Sequence, residues 1–590
     1  MRQSDSQINF LTLQPKFSKN SPKIEPLCDR YRRIADTSPC SRVFSLKPVS
    51  QQSSEQQLQA KLATLCQNSP SETFPPTQYH KYLTAVYTGK ALRSFAMLVS
   101  RYPKRELFYS LVDFLSEDAT EFLCILYGLD HTGKLTLMRQ VLADMNKADL
   151  SKSALLQLSG SDTLEAVLQD LVELRERDYQ YIFLNGITLV DDFVRHSSLL
   201  YKAFMACGMK IVLSCSDSLN FRLAEQAQLS RRCIILHTAF FSFQDFSVLS
   251  NRTDPDLESY IRNGSIMMLS DSHCPKASDL SDQPALNSYV DTAVVRSIQR
   301  SIHCSSIARP SHPRQSLLTN KMLAAAIHQL LDDLTASFLL NTLQRHLRNH
   351  TDELQKQPFN PASGPDESAL DESGLHEHCT DIPAQLTHLQ ELLELRRQQK
   401  QSAILDRSSR SELLEHLRLL DIVQPIDVVA LQDPTPTVRW VLTQPGMRFA
   451  QTDALVTELL QDEWFSGLSQ EQRNFVQTQI HSILLPAIAE ELILADAKQS
   501  ATSHAVSVLQ FPDDRCCMIL SRATSCRISA LAHDSEDAQI LASRLADAQQ
   551  CAAIAHRFGP IGKKLVLYPG KYQKLHEIQC YDFRTYLQSM

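Results

Sequence analysis

The stretch Phe122-Leu123-Cys124-Ile125-Leu126-Tyr127-Gly128-Leu129-Asp130-His131-Thr132-Gly133-Lys134 decides the fold. Its first six residues are an apolar run of strand length, which fits a parallel strand buried on both faces. The loop Gly128 to Lys134 follows at once, and Leu135 to Met145 then has the apolar spacing of a helix. Strand, glycine loop and helix in that order are the context of a Walker A loop. The glycines permit a tight turn around phosphate, N–H groups at the helix start attract an anion, and the lysine reaches the β and γ phosphates. Gly128, Gly133, Lys134 and, two residues on, Thr136 are the candidate nucleotide-binding residues. A glycine-containing βα turn with no nucleotide history is the plain structural alternative.

The magnesium chemistry is altered. A P-loop needs Ser or Thr after its lysine, because that hydroxyl ligates magnesium, and here the residue is Leu135. Thr136 is rotated about 100° around the helix, a poor substitute. The run Tyr181-Ile182-Phe183-Leu184 is the natural Walker B strand, but Asn185-Gly186 follows it where two acids organise magnesium and water. Asp191 and Asp192 lie nearby and read as charges at a helix start rather than displaced catalytic acids. No catalytic residue and no metal ligand is assigned.

Outward from this loop, Lys210 to Ser214 and Cys233 to Leu236 are further strands, and Thr163 to Arg177 is a helix. Short apolar strands between helices predict an α/β domain with a mainly parallel sheet over 95–250. Residues 1–70, rich in Ser, Gln and Pro, read as a flexible extension with a short helix near Gln57 to Leu65. Residues 71–94 read as a helical lead-in, within helical spacing from Tyr79 to Leu115. Residues 251–469 read as mainly helical, with a linker near 358–377. Residues 470–590 read as a second small α/β domain, with strands at Val506 to Phe511, Cys517 to Leu520, Cys526 to Ala532 and Lys564 to Tyr568.

Composition sets limits on function. A net charge of -7 gives no bulk electrostatic drive toward nucleic acid. No run of about 18 apolar residues and no secretory leader is evident, so the expectation is a cytoplasmic protein with no membrane span, signal-peptide-independent export aside. The 15 cysteines are scattered without a CxxC pair, and Cys516 and Cys517 are adjacent, so no structural metal is expected.

Beyond its Walker motifs, the chain resembles prokaryotic AAA-type P-loop ATPases that carry a C-terminal restriction-endonuclease-like domain. The resemblance rests on Arg105-Glu106-Leu107, LYGLDHTGKLTLM, YIFLNGITLVDDF, GMKIVLSCSDSLNF, HTAFFSF, ESYIRNGSIM, TQPGMRF and KKLVLYPGKY, and covers Lys104 to Met590. It implies a sensor-like strand end at Ser216 and Asp217, for which a helix cap is an equal reading, and a basic segment end at Arg231 and Arg232. It also implies a nuclease site with a metal-binding Asp at Cys517 and a Glu and Lys at Ala530 and Ala532, leaving Glu490 as the remaining acid and His533 and Asp534 as polar neighbours. Metal-assisted hydrolysis needs clustered carboxylates. The expectation is a degenerate member: a pseudo-ATPase scaffold with weak or absent ATP binding, uncertain magnesium, an inactive nuclease-like domain and another protein as partner. A weak atypical ATPase acting as a nucleotide-dependent switch, and a nucleic-acid-binding protein without cleavage activity, are the competing functions. Oligomeric state is left open.

Overall fold

The computed structural model describes residues 82–117, 123–190, 193, 208–216, 233–249, 256–263, 267–269, 275–277, 283–308, 320–356, 382–400, 407–431, 433, 435–500, 505–522 and 524–589. These belong to one compact unit, Ser53–Met590. The N-terminal extension, the linker, Asp191, Asp192, Asp217, Arg231 and Arg232 lie outside the described residues.

Six strands make the first sheet: β1 (Ala85–Thr88), β2 (Leu123–Tyr127), β3 (Ser153–Gln157), β4 (Tyr181–Asn185), β5 (Lys210–Cys215) and β6 (Cys233–His237). Their order is β1-β3-β4-β5-β2-β6. β1 is antiparallel to β3 and the other pairs are parallel. Parallel neighbours require long crossovers, here carried in part by the helices Lys134–Asp144 and Leu164–Glu176. Leu164, Val167, Leu171 and Leu174 recur at helical spacing and pack on Ile125, Leu156, Leu184 and Leu213 of the sheet. The glycine loop therefore leaves a strand flanked on both sides, and β5 separates it from β4.

The stretch from Tyr79 to Leu115 is not all helical, because β1 lies inside it. Asp170, buried on the Leu164–Glu176 helix, accepts from the backbone N–H groups of Leu83 and Thr84 at 2.8 Å each, and from the Thr84 hydroxyl. That carboxylate pins the chain just before β1.

Two short strands, β7 (Met267–Leu269) and β8 (Pro275–Ala277), pair with each other. The second large sheet has the order β10-β9-β11-β12-β13-β14-β16-β15. It contains β9 (Val423–Ala430), β10 (Thr437–Leu442), β11 (Ala505–Gln510), β12 (Cys516–Ser521), β13 (Cys526–Leu531), β14 (Ile561–Tyr568), β15 (Gln573–Leu575) and β16 (Ile578–Asp582). β9 and β10 thus come from the stretch expected to be mainly helical. Between β13 and β14 run two helices, Ser535–Ala546 and Ala548–Phe558, divided at Asp547, whose side chain caps the second. Phe475 to Leu494 lies in one long helix, Gln470–Ser500.

The longest helix, Asn320–Lys356, has 37 residues, about 55 Å at 1.5 Å per residue. Its segment Lys321–Arg348 is long and apolar enough to cross a membrane by length and composition only, with His328, Gln329, Asp332 and Asp333 interrupting the apolar residues. Its apolar side is instead spent on two cores. Leu323, Ile327, Leu330 and Leu334 join one cluster, and Phe338, Leu339 and Leu343 join another under the second sheet.

Candidate functional site

Gly128 is required by close approach. A Cβ there would stand 2.3 Å from the Thr238 carbonyl oxygen just beyond β6. Gly133 has φ of 90° and begins the following helix, a conformation that glycine adopts without a Cβ penalty. Thr132 donates to the Leu129 carbonyl at 2.9 Å and its hydroxyl lies 3.0 Å from that of Thr238, which holds the loop against β6.

Lys134 is buried and folded back on its own loop. Its Nζ donates to the carbonyls of Gly128 and Leu129, both at 2.7 Å. Burial pushes its ammonium down to about 8, with Asp130 and Cys215 opposing the shift. An incoming phosphate must compete with these two carbonyls. Leu129, between the glycines, is also buried, against Tyr289, Val290, Leu330 and Ile422 of the neighbouring core. The Tyr289 hydroxyl reaches the Asp130 carbonyl at 3.4 Å.

Thr136 and Leu135 are both half-buried. Thr136 lines a cleft with Thr132 and Gly133 of the loop, Arg105, Gln140 and the apolar Tyr102, Leu107 and Phe241. The cleft has a volume of about 60 Å³, room for a few waters at most. Arg105 forms one wall, donating to the carbonyls of Thr132 at 3.2 Å and Ala239 at 3.3 Å. It also pairs with Asp245 at 2.9 Å and lies over the Phe241 ring. Sequence reading placed Arg105 only within a resemblance; its contacts lie more than 100 positions away except for Thr132.

At the end of β4, where a Walker B strand would end in acids, the residues form a neutral circuit. Ser214 of β5 donates to Asn185 Oδ1 at 2.6 Å, and the Gly186 N–H donates to Ser214 Oγ at 2.9 Å. Ser216 sits at the end of this strand, where its carbonyl accepts from Ser297 Oγ at 3.4 Å. Tyr127, just before the loop, stacks on His237 with ring centroids 4.3 Å apart, and His237 meets Asp421 at 2.7 Å.

The C-terminal sheet corrects the sequence reading. Cys517 pairs with Ala530 across β12 and β13, and both lie with Ala532 in an apolar core beneath the helix Ser535–Ala546. Glu490 is on the opposite face. Side chains alternate along a strand, so the face near Glu490 presents Cys516, Met518, Ser529 and Leu531 instead. None of these is a carboxylate. The expected set of Glu490 with Cys517, Ala530 and Ala532 therefore does not form one site. Asp534 caps the helix Ser535–Ala546, accepting from the Asp537 N–H at 2.8 Å.

Glu490 belongs instead to a chain of alternating charges. It runs Arg544, Asp513, Arg515, Asp537, Arg345, Glu490, Arg439, Glu491, Arg448, with each neighbouring pair in salt-bridge contact. Burial alone would raise the Glu490 carboxyl, but the His533 hydrogen bond and the Arg345 and Arg439 charges hold it well below the usual range. His533 is pushed down by burial and by Arg345. Among the described residues no group of three or more His, Cys, Asp or Glu is arranged to hold a metal ion.

No protein-family model and no curated protein matches the chain. Among solved structures, a Walker-type ATPase of Pyrococcus abyssi is similar at 11% identity, over 60% of this chain and 99% of that one, with a TM-score of 0.29. The S. cerevisiae Hsp104–ADP complex is similar at 11% identity over 71% of this chain, which spans about half of that protein (51%), with a TM-score of 0.23. This is weak structural similarity to AAA-type P-loop ATPases. At such TM-scores it carries no weight beyond the strand order and loop geometry themselves.

Proposed function

We propose that the chain is an AAA-type pseudo-ATPase scaffold: a nucleotide-binding fold that no longer turns ATP over, joined to an inert nuclease-like sheet. The observation that carries this reading is the circuit of Asn185, Ser214 and Gly186. Ser214 Oγ donates to Asn185 Oδ1 and accepts from the Gly186 N–H, and the circuit offers magnesium no carboxylate where positioning of metal and water makes the largest contribution to hydrolysis. Leu135 offers no hydroxyl. Lys134 and the loop N–H groups still favour an anion, so weak binding of a nucleotide's phosphates without a magnesium requirement is the expected residue of function. The narrow cleft beside Thr136 limits the affinity added by a base.

Calorimetric titration of ATP with and without magnesium, with phosphate release measured on the same preparation, tests this. Weak, metal-insensitive binding without turnover is expected. Micromolar, magnesium-enhanced binding with steady turnover that disappears in Lys134→Ala would defeat the reading and favour the atypical ATPase. The proposed partner is another protein and the proposed compartment the cytoplasm. Support for the compartment comes from buried free thiols at Cys124, Cys516 and Cys517, whose burial raises their pKa and keeps them unreactive.

A further inference from the structure

Cys124, Cys215, Cys516 and Cys517 are buried, while Cys551 is a free cysteine that is only partly buried. It lies on the helix Ala548–Phe558 with an amine against its sulfur: Lys564 Nζ, from β14, donates to Cys551 Sγ at 2.9 Å. The two groups share one acceptor, the Leu545 carbonyl oxygen, which takes the amine at 2.9 Å and the thiol at 3.1 Å. Leu545 is in the last turn of the helix Ser535–Ala546, where carbonyls have no intrahelical partner. A lysine capping a helix end accounts for the Leu545 contact. That cap is complete without a sulfur, so it does not account for the thiol seated beside the amine. Nitrogen, sulfur and carbonyl oxygen thus come from three different elements and meet at one point. The stem of Lys564 rises from a firm base, since Leu565 and Val566, next along β14, are buried.

We propose that Cys551 and Lys564 are a reversible oxidative modification site, which takes a hydroperoxide as oxidant and closes as a sulfenamide. The sulfur attacks the O–O bond of the peroxide. An S–O bond forms and the O–O bond breaks, leaving Cys551 as a sulfenic acid and releasing water when the oxidant is hydrogen peroxide. Sulfur is oxidised by two electrons and the peroxide is reduced by two. Sulfenic acids condense with nitrogen nucleophiles, and here the nitrogen is already in contact. Lys564 Nζ gives its ammonium proton to solvent and attacks the sulfur; the N–S bond forms, the S–O bond breaks, and the departing hydroxide takes a second proton from nitrogen as water. One thiol, one amine and one hydrogen peroxide become one sulfenamide and two waters. A thiol reductant reverses the step by attacking sulfur, returning the amine, and a second thiol then resolves the mixed disulfide. Holding amine and sulfur in contact gives this pair an advantage over amines and thiols in solution. The bond would tie the helix Ala548–Phe558 covalently to β14.

Peptide mapping by mass spectrometry, on full-length protein treated with hydrogen peroxide and digested without reductant, tests the proposal. The peptides carrying Cys551 and Lys564 are expected to be joined, at a mass lighter by two hydrogens than their sum, and to separate on treatment with dithiothreitol. Lys564→Arg keeps a donor for the Leu545 carbonyl but has no amine for the bond, so it should lose the link and let Cys551 proceed to sulfinic and sulfonic acids. Cys551→Ser should lose the link as well. The wild-type map decides even if a variant does not fold. A Cys551 that resists peroxide would overturn the proposal, as would one oxidised to sulfinic acid as readily in wild type as in Lys564→Arg. A link from Cys551 to any other residue would overturn it too.

Discussion

Ser214 Oγ donates to Asn185 Oδ1 at 2.6 Å while accepting from the Gly186 N–H at 2.9 Å. The hydroxyl of β5 thus completes the end of β4 without a charge. Replacing Asn185 by Asp would keep the acceptor and add a carboxylate. Asn185→Asp is expected to make ATP binding more sensitive to magnesium and to leave phosphate release at background, since Leu135 and Gly186 still lack the hydroxyl and acid. Turnover rising with this single change would show that the missing acid at 185 was the whole defect.

Gly186 resists the second restoration. Its φ is 81°, and a Cβ there would lie 3.1 Å from Leu189 Cδ1 and 3.4 Å from the Leu158 carbonyl oxygen. Gly186→Glu should therefore cost about 1–2 kcal/mol from the left-handed backbone alone. Chemical denaturation compared with wild type checks this; an unchanged midpoint would mean that the turn relaxes freely.

Lys134 supplies a pH signature. Its folded-state pKa of about 8 lies below the ordinary 10.5, so between these values the unfolded chain holds a proton that the folded chain has released. Stability then rises with pH through that window. The neutral amine still has two N–H donors for Gly128 and Leu129. Measured from pH 8 to 10.5, the melting difference between wild type and Lys134→Met should move in favour of wild type. Movement the other way would place Lys134 outside the loop.

The chain of alternating charges gives an acid limb of the same sign at low pH. Asp513, held by Arg544 and Arg515 against the cost of burial, titrates at about 2, and Glu490 and Asp537 are likewise lowered. Their contribution is complete above the ordinary carboxyl values of 3.8 and 4.5, and drains as pH falls through the folded values. Asp513→Asn should melt below wild type at neutral pH, with the gap closing between pH 3.8 and about 2. A gap that widens in acid would exclude this ion chain as its source.

For DNA, the full-length protein is expected to show no cleavage with Mg2+ or Mn2+, and Glu490→Ala should change nothing in that assay. Any residual binding should weaken steeply with salt. Digestion that disappears in Glu490→Ala would reassign the sheet as a working nuclease.

The strand Leu123–Tyr127 and its loop were legible because a doubly buried parallel strand is apolar at every position and the glycines punctuate it. β1 and β3 were not. Ala85-Val86-Tyr87-Thr88 lies beside helical spacing, and it becomes a strand by pairing with Leu156 and its neighbours. β9 contains Pro425 and Asp427, which argue against a central strand. Pro425 is tolerated because β11 pairs with β9 only from Asp427 onward, about 80 positions away in sequence. The expected grouping of Glu490 with Cys517, Ala530 and Ala532 does not form in the sheet. Cys516 and Cys517 face opposite sides of the sheet, and a single-residue step turns the side chain over, which a sequence without its strand register does not show. Arg345 was invisible as a partner of Glu490 because 145 positions separate them and only the tertiary fold brings them together.

The Asn320–Lys356 helix shares its apolar side between two cores, with Leu330 in the cluster that holds Leu129 of the glycine loop and Leu343 in the cluster beneath β12. Neither core is complete without its half, and a helix cut midway loses the continuous hydrogen-bond ladder that carries one half to the other. The helical region and the C-terminal sheet are therefore expected to behave as one cooperative block. Heating should melt the helical region and the C-terminal sheet together, and a truncation ending within this helix should fail to yield a stable isolated piece on either side of the cut.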